Sequence, residues 1–274
     1  MLVPPAPGTP PLVPPPAPAP PPVKKDRRPL RALLRWTAAV AVFAVAGGGT
    51  AYGITRMERT DLPGLATASD GRWEYPQLTR PPLPSGSPGP FAEENKAKAH
   101  YADLRALLLP APKGAKTDAA LRGADGWLPT TAFLTEFDKG DRDELGQLLT
   151  DNGLRHIAAR GWTTQDGTHT RIYLLQFDTA VAADELKLAD YEAPRFAVRG
   201  APQTARDEDY PDAADVTNVN HEVYAEAKPY GDEQVREAYL TAGDTLALVV
   251  QSRRGGAKAV PFQQTVVLQS QLLG

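Results

Sequence analysis

Five acidic residues crowd one short stretch of this chain, and clustered carboxylates are the ligands that hard cations such as calcium prefer. The stretch contains Asp207, Glu208, Asp209, Asp212 and Asp215. Its spacing does not match the calcium loop of an EF-hand, because the central glycine and the closing glutamate are absent. We therefore predict a solvated acidic loop with neither metal nor cofactor, and keep Asp207, Asp209, Asp212 and Asp215 as candidate calcium ligands.

The residue types that most often act as nucleophiles or bases are few and poorly spaced. The chain contains no cysteine, which excludes thiolate catalysis, disulfides and a lipidated cysteine. Ser252 and Ser270, the only serines after residue 90, stand in neither a Gly-x-Ser-x-Gly nor a Ser-x-x-Lys motif. The histidines lack metal-binding spacing. His156 and His169 either pair across a predicted hairpin as a pH sensor or lie on a solvated sheet face.

Three aromatic side chains are the strongest candidates for a ligand-binding groove, namely Trp127, Trp162 and Tyr173. Core packing is the alternative use for each of them. Carboxylate pairs for glycoside hydrolysis can be drawn from so many acids that the sequence singles out none. The sequence therefore predicts a binding protein and no enzyme, with an envelope hydrolase that uses unmarked carboxylates as the alternative.

Two β-hairpins, each followed by a helix, are expected to position these residues. The first joins residues 154–163 to residues 169–177 through an Asp-Gly turn, because glycine accepts the positive φ of the reversal. The second joins residues 235–241 to residues 245–252, and a helix with Pro261 in its first turn follows it. An antiparallel pair of hairpins needs at least one face covered, and each helix follows closely enough to fold back over its hairpin.

Further elements are predicted around the hairpins. In chain order they are a helix over 92–109, a strand at 131–137, a helix that begins at Asp141, and sheet-extending segments at 195–199 and 216–227. Glu144 completes a capping box with Asp141. The predicted fold class is α+β, with an antiparallel sheet built from two hairpin-then-helix units and flanking helices.

Residues 36–54 form an apolar stretch without a single charge, from Trp36 to Ile54. A helix over this stretch is about 28 Å long, close to the thickness of the hydrocarbon core of a bilayer. Six basic residues and one acidic residue precede it. The positive-inside rule therefore predicts a single-pass membrane protein with a cytoplasmic N-terminus, the lipid bilayer as a partner, and everything after Arg56 outside the cytoplasm.

A cleaved signal peptide is the alternative for this stretch. Ala44-Val45-Ala46 has the small-x-small form that a signal peptidase accepts, and cleavage after Ala46 gives a secreted protein. Against cleavage, the apolar run continues to Ile54 and 35 residues precede it. If the helix stays in the membrane, Gly49 and Gly53 have the spacing through which two such helices form a homodimer.

Composition divides the chain into four parts. They are a proline-rich, disordered cytoplasmic tail (1–30), the transmembrane helix (31–55), an extracytoplasmic stalk rich in Pro, Gly and Ser (56–90), and an extracytoplasmic α+β domain (91–274). From residue 56 onward the chain has 24 basic and 32 acidic residues, a balance that repels polyanions. This excludes nucleic acid as a partner and leaves an envelope protein or a small ligand.

Residues 102–110 (Ala-Asp-Leu-Arg-Ala-Leu-Leu-Leu-Pro) and 161–167 (Gly-Trp-Thr-Thr-Gln-Asp-Gly) are similar to stretches of exported proteins that include sensor-like domains. The overall plan resembles that of uncharacterised single-pass membrane proteins of high-GC Gram-positive bacteria, which have a basic or proline-rich cytoplasmic leader. The resemblance implies an exported domain without defined catalytic residues. We therefore expect a non-enzymatic, membrane-tethered binding or sensory accessory module of the cell envelope.

Overall fold

The structure of the protein, a computed structural model, describes residues 28–56, 69–186 and 188–274. Within these ranges, the side chains at 28–32, 46, 49–56 and 212 lie outside the description. The chain divides into a first unit of residues 1–68 and a second unit of residues 69–274. Most of the predicted disordered tail, residues 1–27, lies outside the described residues.

The first unit contains a long helix, α1, over Arg28–Arg56. Its apolar side chains Trp36, Val40 and Phe43 are exposed. Across the described residues, no helix is both long enough and apolar enough to cross a membrane. Within the predicted span of residues 36–54, the side chains at 46 and 49–54 are not among the described residues. The predicted dimer contact at Gly49 and Gly53 falls in this part.

The described residues of the second unit form a seven-stranded antiparallel sheet. Its strands are β1 (Lys116–Asp118), β2 (Leu154–Thr163), β3 (His169–Phe177), β4 (Ala205–Arg206), β5 (Asn220–Ala225), β6 (Glu233–Ala242) and β7 (Thr245–Arg254). They lie in the order β1-β2-β3-β7-β6-β5-β4, and every neighbouring pair is antiparallel. Together with the helices described below, this sheet confirms the predicted α+β class.

Both predicted hairpins are confirmed, and they meet at the centre of the sheet. β2 and β3 have the predicted bounds, while β6 and β7 are slightly longer than predicted. Gly167 has a φ of 82° in the first turn, a conformation that glycine adopts without steric cost. β3 pairs with β7, so the second strand of each hairpin lies beside that of the other.

In the described part of this unit, four helices cover the sheet on both faces. They are α2 (Thr130–Leu134), α3 (Arg142–Asp151), α4 (Ala180–Glu185) and α5 (Ala259–Leu273). Phe133, Leu145 and Ala183 of α2, α3 and α4 pack in one core, on what we call the first face. Phe262 and Val266 of α5 pack in a second core, on the opposite or second face. The two hairpin-then-helix units therefore differ, because their helices lie on opposite faces of the sheet.

The helix predicted over 92–109 is wrong. The regular structure in this described segment is a short 3-10 turn at Leu104–Ala106. Lys98 has a φ of 49°, which a right-handed helix does not allow, and the Asn95 amide bonds to neighbouring main-chain groups instead. The helical spacing of leucines arose because Leu104 and Leu108 pack on the second face from irregular backbone.

Two other local predictions are also wrong, although helix α3 and its start at Asp141 are confirmed. The segment 131–137, predicted as a strand, contains helix α2 up to Leu134 and then a turn, and Phe137 forms only an isolated bridge with Val198. The capping box does not form. The Asp141 carboxylate makes no helix-capping bond and accepts a hydrogen bond from the Ala197 N–H at 3.1 Å.

Residues 69–90 belong to the folded unit, whereas the sequence predicts them to be part of a free stalk. The Tyr75 hydroxyl lies 2.9 Å from Thr265 Oγ1 on α5, and the Trp73 N–H donates to the Gln264 side chain at 2.8 Å. Tyr75 also packs against the core of the second face. The predicted boundary at residue 90 is therefore wrong. The many prolines and glycines indicated an extended stalk, but the segment packs on the domain through its aromatic residues.

The sheet ends on each side in a very short strand. β1 has 3 residues and β4 has 2, whereas β2, β6 and β7 have 10 each. The two central long strands, β3 and β7, are paired along most of their length on both sides, whereas β1 pairs with only residues 161–163 of β2. Short edges are one way in which proteins limit unwanted strand pairing.

Candidate functional site

The three aromatic residues predicted to line a groove do not come together. Trp162 and Tyr173 are buried in the cores on opposite faces of the sheet. Trp127 is half-buried, and its ring stacks on His156 with 4.6 Å between centroids. The Arg105 guanidinium lies 4.8 Å from the centroid of the same ring. Trp162 and Tyr173 are therefore used for core packing, and Trp127 packs against His156 and Arg105.

Of the four candidate calcium ligands, Asp207 and Asp215 contact basic side chains. Asp207 forms a buried ion pair with Arg236, with 2.5 Å between Oδ2 and Nη1. The Asp215 carboxylate lies 3.7 Å from Nε2 of His221. The side chain of Asp212 lies outside the description. Among the side chains that the structure describes, no three of the metal-ligating types converge on one point.

The register of the first hairpin separates His156 from His169, so the hypothesis that they pair is wrong. His169 lies opposite Thr163 beside the turn, while His156 lies near the other end of β2. His169 instead contacts Asp118 at 3.4 Å and Arg171 at 3.0 Å. Burial and the positive charge of Arg171 lower the pKa of His169, and they outweigh the opposite effect of Asp118.

Two buried acids on the first face are the natural candidates for hydrolase chemistry, and the first of them is Glu136. The Arg171 guanidinium donates to its carboxylate at 2.8 and 2.9 Å, and the Tyr173 hydroxyl donates at 2.5 Å. A buried carboxylate with these partners is fully hydrogen-bonded and neutralised. Glu136 therefore acts as a structural anchor between the segment after α2 and the sheet.

Glu237 on β6 is the second buried acid, and it has no exposed surface. Its carboxylate accepts hydrogen bonds from Thr204 Oγ1 at 2.7 Å and from the Tyr239 hydroxyl at 3.1 Å. Burial raises the pKa of Glu237 to about 7, against the lowering effect of these two hydrogen bonds. Hydrolysis of a glycoside requires two carboxyl groups that flank a substrate. Neither Glu136 nor Glu237 is open enough to do so.

An open cavity of about 640 Å³ lies beside β1 at the edge of the sheet. It is lined by β1, the following 3-10 turn Ala119–Arg122, the next turn at 123–126, and residues 159–161 of β2. Three arginines face it, Arg105, Arg122 and Arg160. We call it the arginine cavity. Its volume is in the range of small-molecule binding sites.

Arg160 is half-buried in the wall of the arginine cavity. Its Nη1 donates to the Leu108 carbonyl at 2.7 Å, and among the described residues no carboxylate pairs with it. None of its other nitrogens is both buried and unpartnered, so these donors reach solvent. Burial lowers the pKa of Arg160, and the charge of nearby Arg122 lowers it further. Arg160 is thus a desolvated cation that another cation repels.

Arg105 has a different role, because its donors are already used. It donates to both oxygens of Asp103 at 2.9 and 2.7 Å and to the Asp125 carbonyl at 2.7 Å. These bonds fix the turn that closes the arginine cavity. Gly123 in this turn has a φ of 63°, and an added Cβ would lie 2.0 Å from the Trp127 carbonyl oxygen. The turn therefore requires glycine at this position.

The polar side chains that line the arginine cavity are three arginines, two aspartates and one threonine. Within the described residues that line it, there is no serine, cysteine or histidine. Asp118 at its rim is engaged with His169. What remains is a pair of arginines, Arg122 and Arg160, with donors that point to solvent or to open space.

Sequence reasoning missed the arginine cavity because its three arginines are far apart in the chain and belong to no motif. One feature of the sequence indicated it. Arg160 alternates along β2 with Ala158 and Trp162, both of which face the core of the second face. A charged residue at an inward position of a strand requires compensation, and here it has only one main-chain carbonyl.

No known protein-family model matches this chain, and no curated protein is similar enough to count as a relative.

Proposed function

We propose that this protein is a non-enzymatic, membrane-tethered module of the cell envelope, and that its extracytoplasmic domain binds a small ligand in the arginine cavity. One observation carries the proposal: Arg160 is half-buried in a cavity of about 640 Å³ without a carboxylate partner among the described residues. Burying a guanidinium without an opposite charge is unfavourable. A ligand that compensates the charge of Arg160 is therefore bound favourably in this cavity.

The tether rests on the sequence. Residues 36–54 carry no charge, and six basic residues precede them. This asymmetry favours a cytoplasmic N-terminus and a domain outside the cytoplasm. The proposed role is that of a sensory or binding accessory, and the proline-rich composition before the helix is typical of a segment without a packed core.

The hydrolase alternative has less support. Its two buried acids, Glu136 and Glu237, are hydrogen-bonded and have little or no exposed surface. A catalytic acid must reach its substrate directly or through one water molecule. The second alternative, a secreted protein released after Ala46, keeps the same binding domain and changes only its attachment.

Two reporters test the location. Each reporter is fused after Gly274 in a separate protein. Alkaline phosphatase is active only outside the cytoplasm, whereas green fluorescent protein fluoresces in the cytoplasm and only poorly after export. Phosphatase activity together with an intact mass that includes residues 36–54 in the membrane fraction supports the tether. An active cytoplasmic reporter would overturn the location, and a mature mass that begins at Gly47 would establish secretion.

A photoreactive amino acid tests binding in the arginine cavity. Ala119 is exposed and lines the cavity, while Lys139 is exposed at a position outside it. The full chain is irradiated in intact cells, and adducts are identified by mass spectrometry. A small-molecule adduct at position 119 that is absent at position 139 and lost in Arg160→Gln supports the proposal. Equal labelling at both positions contradicts it.

A further inference from the structure

The arginine cavity contains positive charge that the protein itself leaves uncompensated. Arg122 and Arg160 both line it, and among the described residues neither forms an ion pair. The unit around them is acidic. Most of its exposed arginines form ion pairs with aspartate or glutamate, as Arg72 does with Asp70 and Arg254 with Asp232. Within the described part of the unit, Arg80 and Arg142 also lack an ion pair, but each of them bonds to main-chain carbonyls outside this cavity. Arg122 and Arg160 are distinguished because both line one cavity.

We infer that the ligand of the arginine cavity is a small solute bearing a carboxylate or phosphate group, held between the guanidiniums of Arg122 and Arg160. The planar fork of a guanidinium matches the geometry of both oxyanions and binds them through paired hydrogen bonds. This inference rests on the proposed function, because it names the class of ligand for the same cavity.

The donors of Arg160 support an oxyanion over a neutral ligand. A guanidinium has five N–H donors, and here one nitrogen donates to the Leu108 carbonyl. The remaining nitrogens are not enclosed by protein. Since donors on a half-buried cation lack acceptors of opposite charge, an entering oxyanion satisfies them and removes the repulsion between Arg160 and Arg122. The lowered pKa of Arg160 is consistent with this repulsion.

Among the described residues, the acids near the cavity form no ion pair with Arg122 or Arg160. Asp118 lies 3.4 Å from the imidazole of His169, and Asp103 is paired with Arg105. Asp125 lines the cavity, and its carbonyl holds Arg105. The acidic rim favours a compact anion that reaches between the two arginines over a long polyanion, because a polyanion would also approach the rim.

Titration of simple anions tests the inference. The full chain, reconstituted in nanodiscs of zwitterionic lipid, is titrated by calorimetry with inorganic phosphate and, separately, with acetate, in Tris chloride at constant ionic strength. We expect saturable binding of at least one of the two anions. Phosphate binding alone indicates a phosphate-bearing ligand, and acetate binding alone indicates a carboxylate.

Three variants make the test specific. Arg160→Gln and Arg122→Gln each remove charge-assisted hydrogen bonds and are expected to weaken binding roughly tenfold. Arg254→Gln is the matched control, since Arg254 is exposed and lies outside the cavity. Arg122 is itself exposed, so its replacement tests the cavity even if Arg160→Gln destabilises the fold.

The outcomes separate this inference from the proposed function. Absence of saturable binding for both anions, or equal affinity in Arg122→Gln and in the unsubstituted chain, overturns the oxyanion inference. If position 119 still gives a specific small-molecule adduct in cells, the binding function stands with a different class of ligand. A cytoplasmic C-terminus contradicts the proposed function whatever the anions do.

Discussion

His100 and Asp244 form a buried ion pair, with Nδ1 of the imidazole 2.7 Å from Oδ1 of the carboxylate. The other ring nitrogen, Nε2, lies 3.0 Å from the Leu273 carbonyl oxygen. Each ring nitrogen therefore has an oxygen acceptor within hydrogen-bond distance. The pair joins the segment before β1 to the turn between β6 and β7 and to the end of α5.

Replacing His100 by alanine is expected to destabilise the domain strongly. The change leaves the carboxylate of Asp244 buried without its cation and the Leu273 carbonyl without a donor. Breaking a buried ion pair in this way costs about 3–5 kcal/mol. Denaturant unfolding followed by circular dichroism measures the loss. His156→Ala is the control, because His156 is exposed, and we expect a change within about 1 kcal/mol.

The buried carboxyl of Glu237 is expected to make stability fall as pH rises from about 4.5 to about 7. Its pKa is raised from 4.5 to about 7 in the folded state. The folded chain therefore keeps a proton that the unfolded chain releases, and the free energy of unfolding decreases across this window. Above pH 7 this contribution is constant.

Glu237→Gln removes the titrating group and keeps most of its shape and hydrogen bonding. The variant should lose this part of the pH dependence and be more stable than the unsubstituted protein at pH 8, by roughly 2–3 kcal/mol. Thermal and denaturant unfolding between pH 4 and pH 8 measure both profiles. Parallel profiles for the two proteins would show that Glu237 titrates normally in the fold.

Gly123→Ala is expected to distort the turn that closes the arginine cavity. The added Cβ would lie 2.0 Å from the Trp127 carbonyl oxygen, and φ is 63°. Gly167→Ala is a matched control, because φ is 82° there and no atom lies within 4 Å of the added Cβ. The control should cost about 1 kcal/mol from backbone strain alone.

The difference between these two alanine variants isolates the steric clash. We expect Gly123→Ala to be more destabilising than Gly167→Ala by about 2 kcal/mol or more, because the main chain must move to accommodate the added Cβ. Anion binding should weaken in Gly123→Ala and stay unchanged in Gly167→Ala. Similar melting temperatures for both would mean that the turn adapts without strain.

Substitutions at Tyr75 test whether residues 69–90 belong to the folded domain. Tyr75→Phe removes the hydroxyl that bonds to Thr265 Oγ1 at 2.9 Å and should cost about 1 kcal/mol. Tyr75→Ala also removes the edge-on contact with Trp162, at 6.4 Å between centroids, and should cost about 3 kcal/mol. A free stalk would make both changes neutral. Tyr101→Ala, at an exposed aromatic residue, is the control.

The hairpins could be predicted because their determinants are local. The β-rich runs at 154–163 and 169–177 and the Asp-Gly turn at Gly167 define both strands. Helix α4 likewise begins at a local cap, because the Thr179 hydroxyl accepts from the Ala182 N–H. The order of the strands could not be predicted, since the contact between β3 and β7 joins segments that are distant in sequence.

The wrong predictions share a physical cause, which is that tertiary contacts overrode a local pattern. The leucines around Leu104 have helical spacing but pack from irregular backbone. Phe133 is apolar enough for a strand but packs from helix α2. The arginine cavity depends on three separate segments that meet beside β1. The inward position of Arg160 on β2 is the one feature of this cavity that the sequence alone indicates.

The brevity of β1 and β4 has a consequence for how copies of this domain behave side by side. A neighbouring chain that tried to extend the sheet would find three residues on one margin and two on the other. Pairing at β1 or β4 would give few main-chain hydrogen bonds, which disfavours growth of the sheet from one copy of the domain into the next at these two strands.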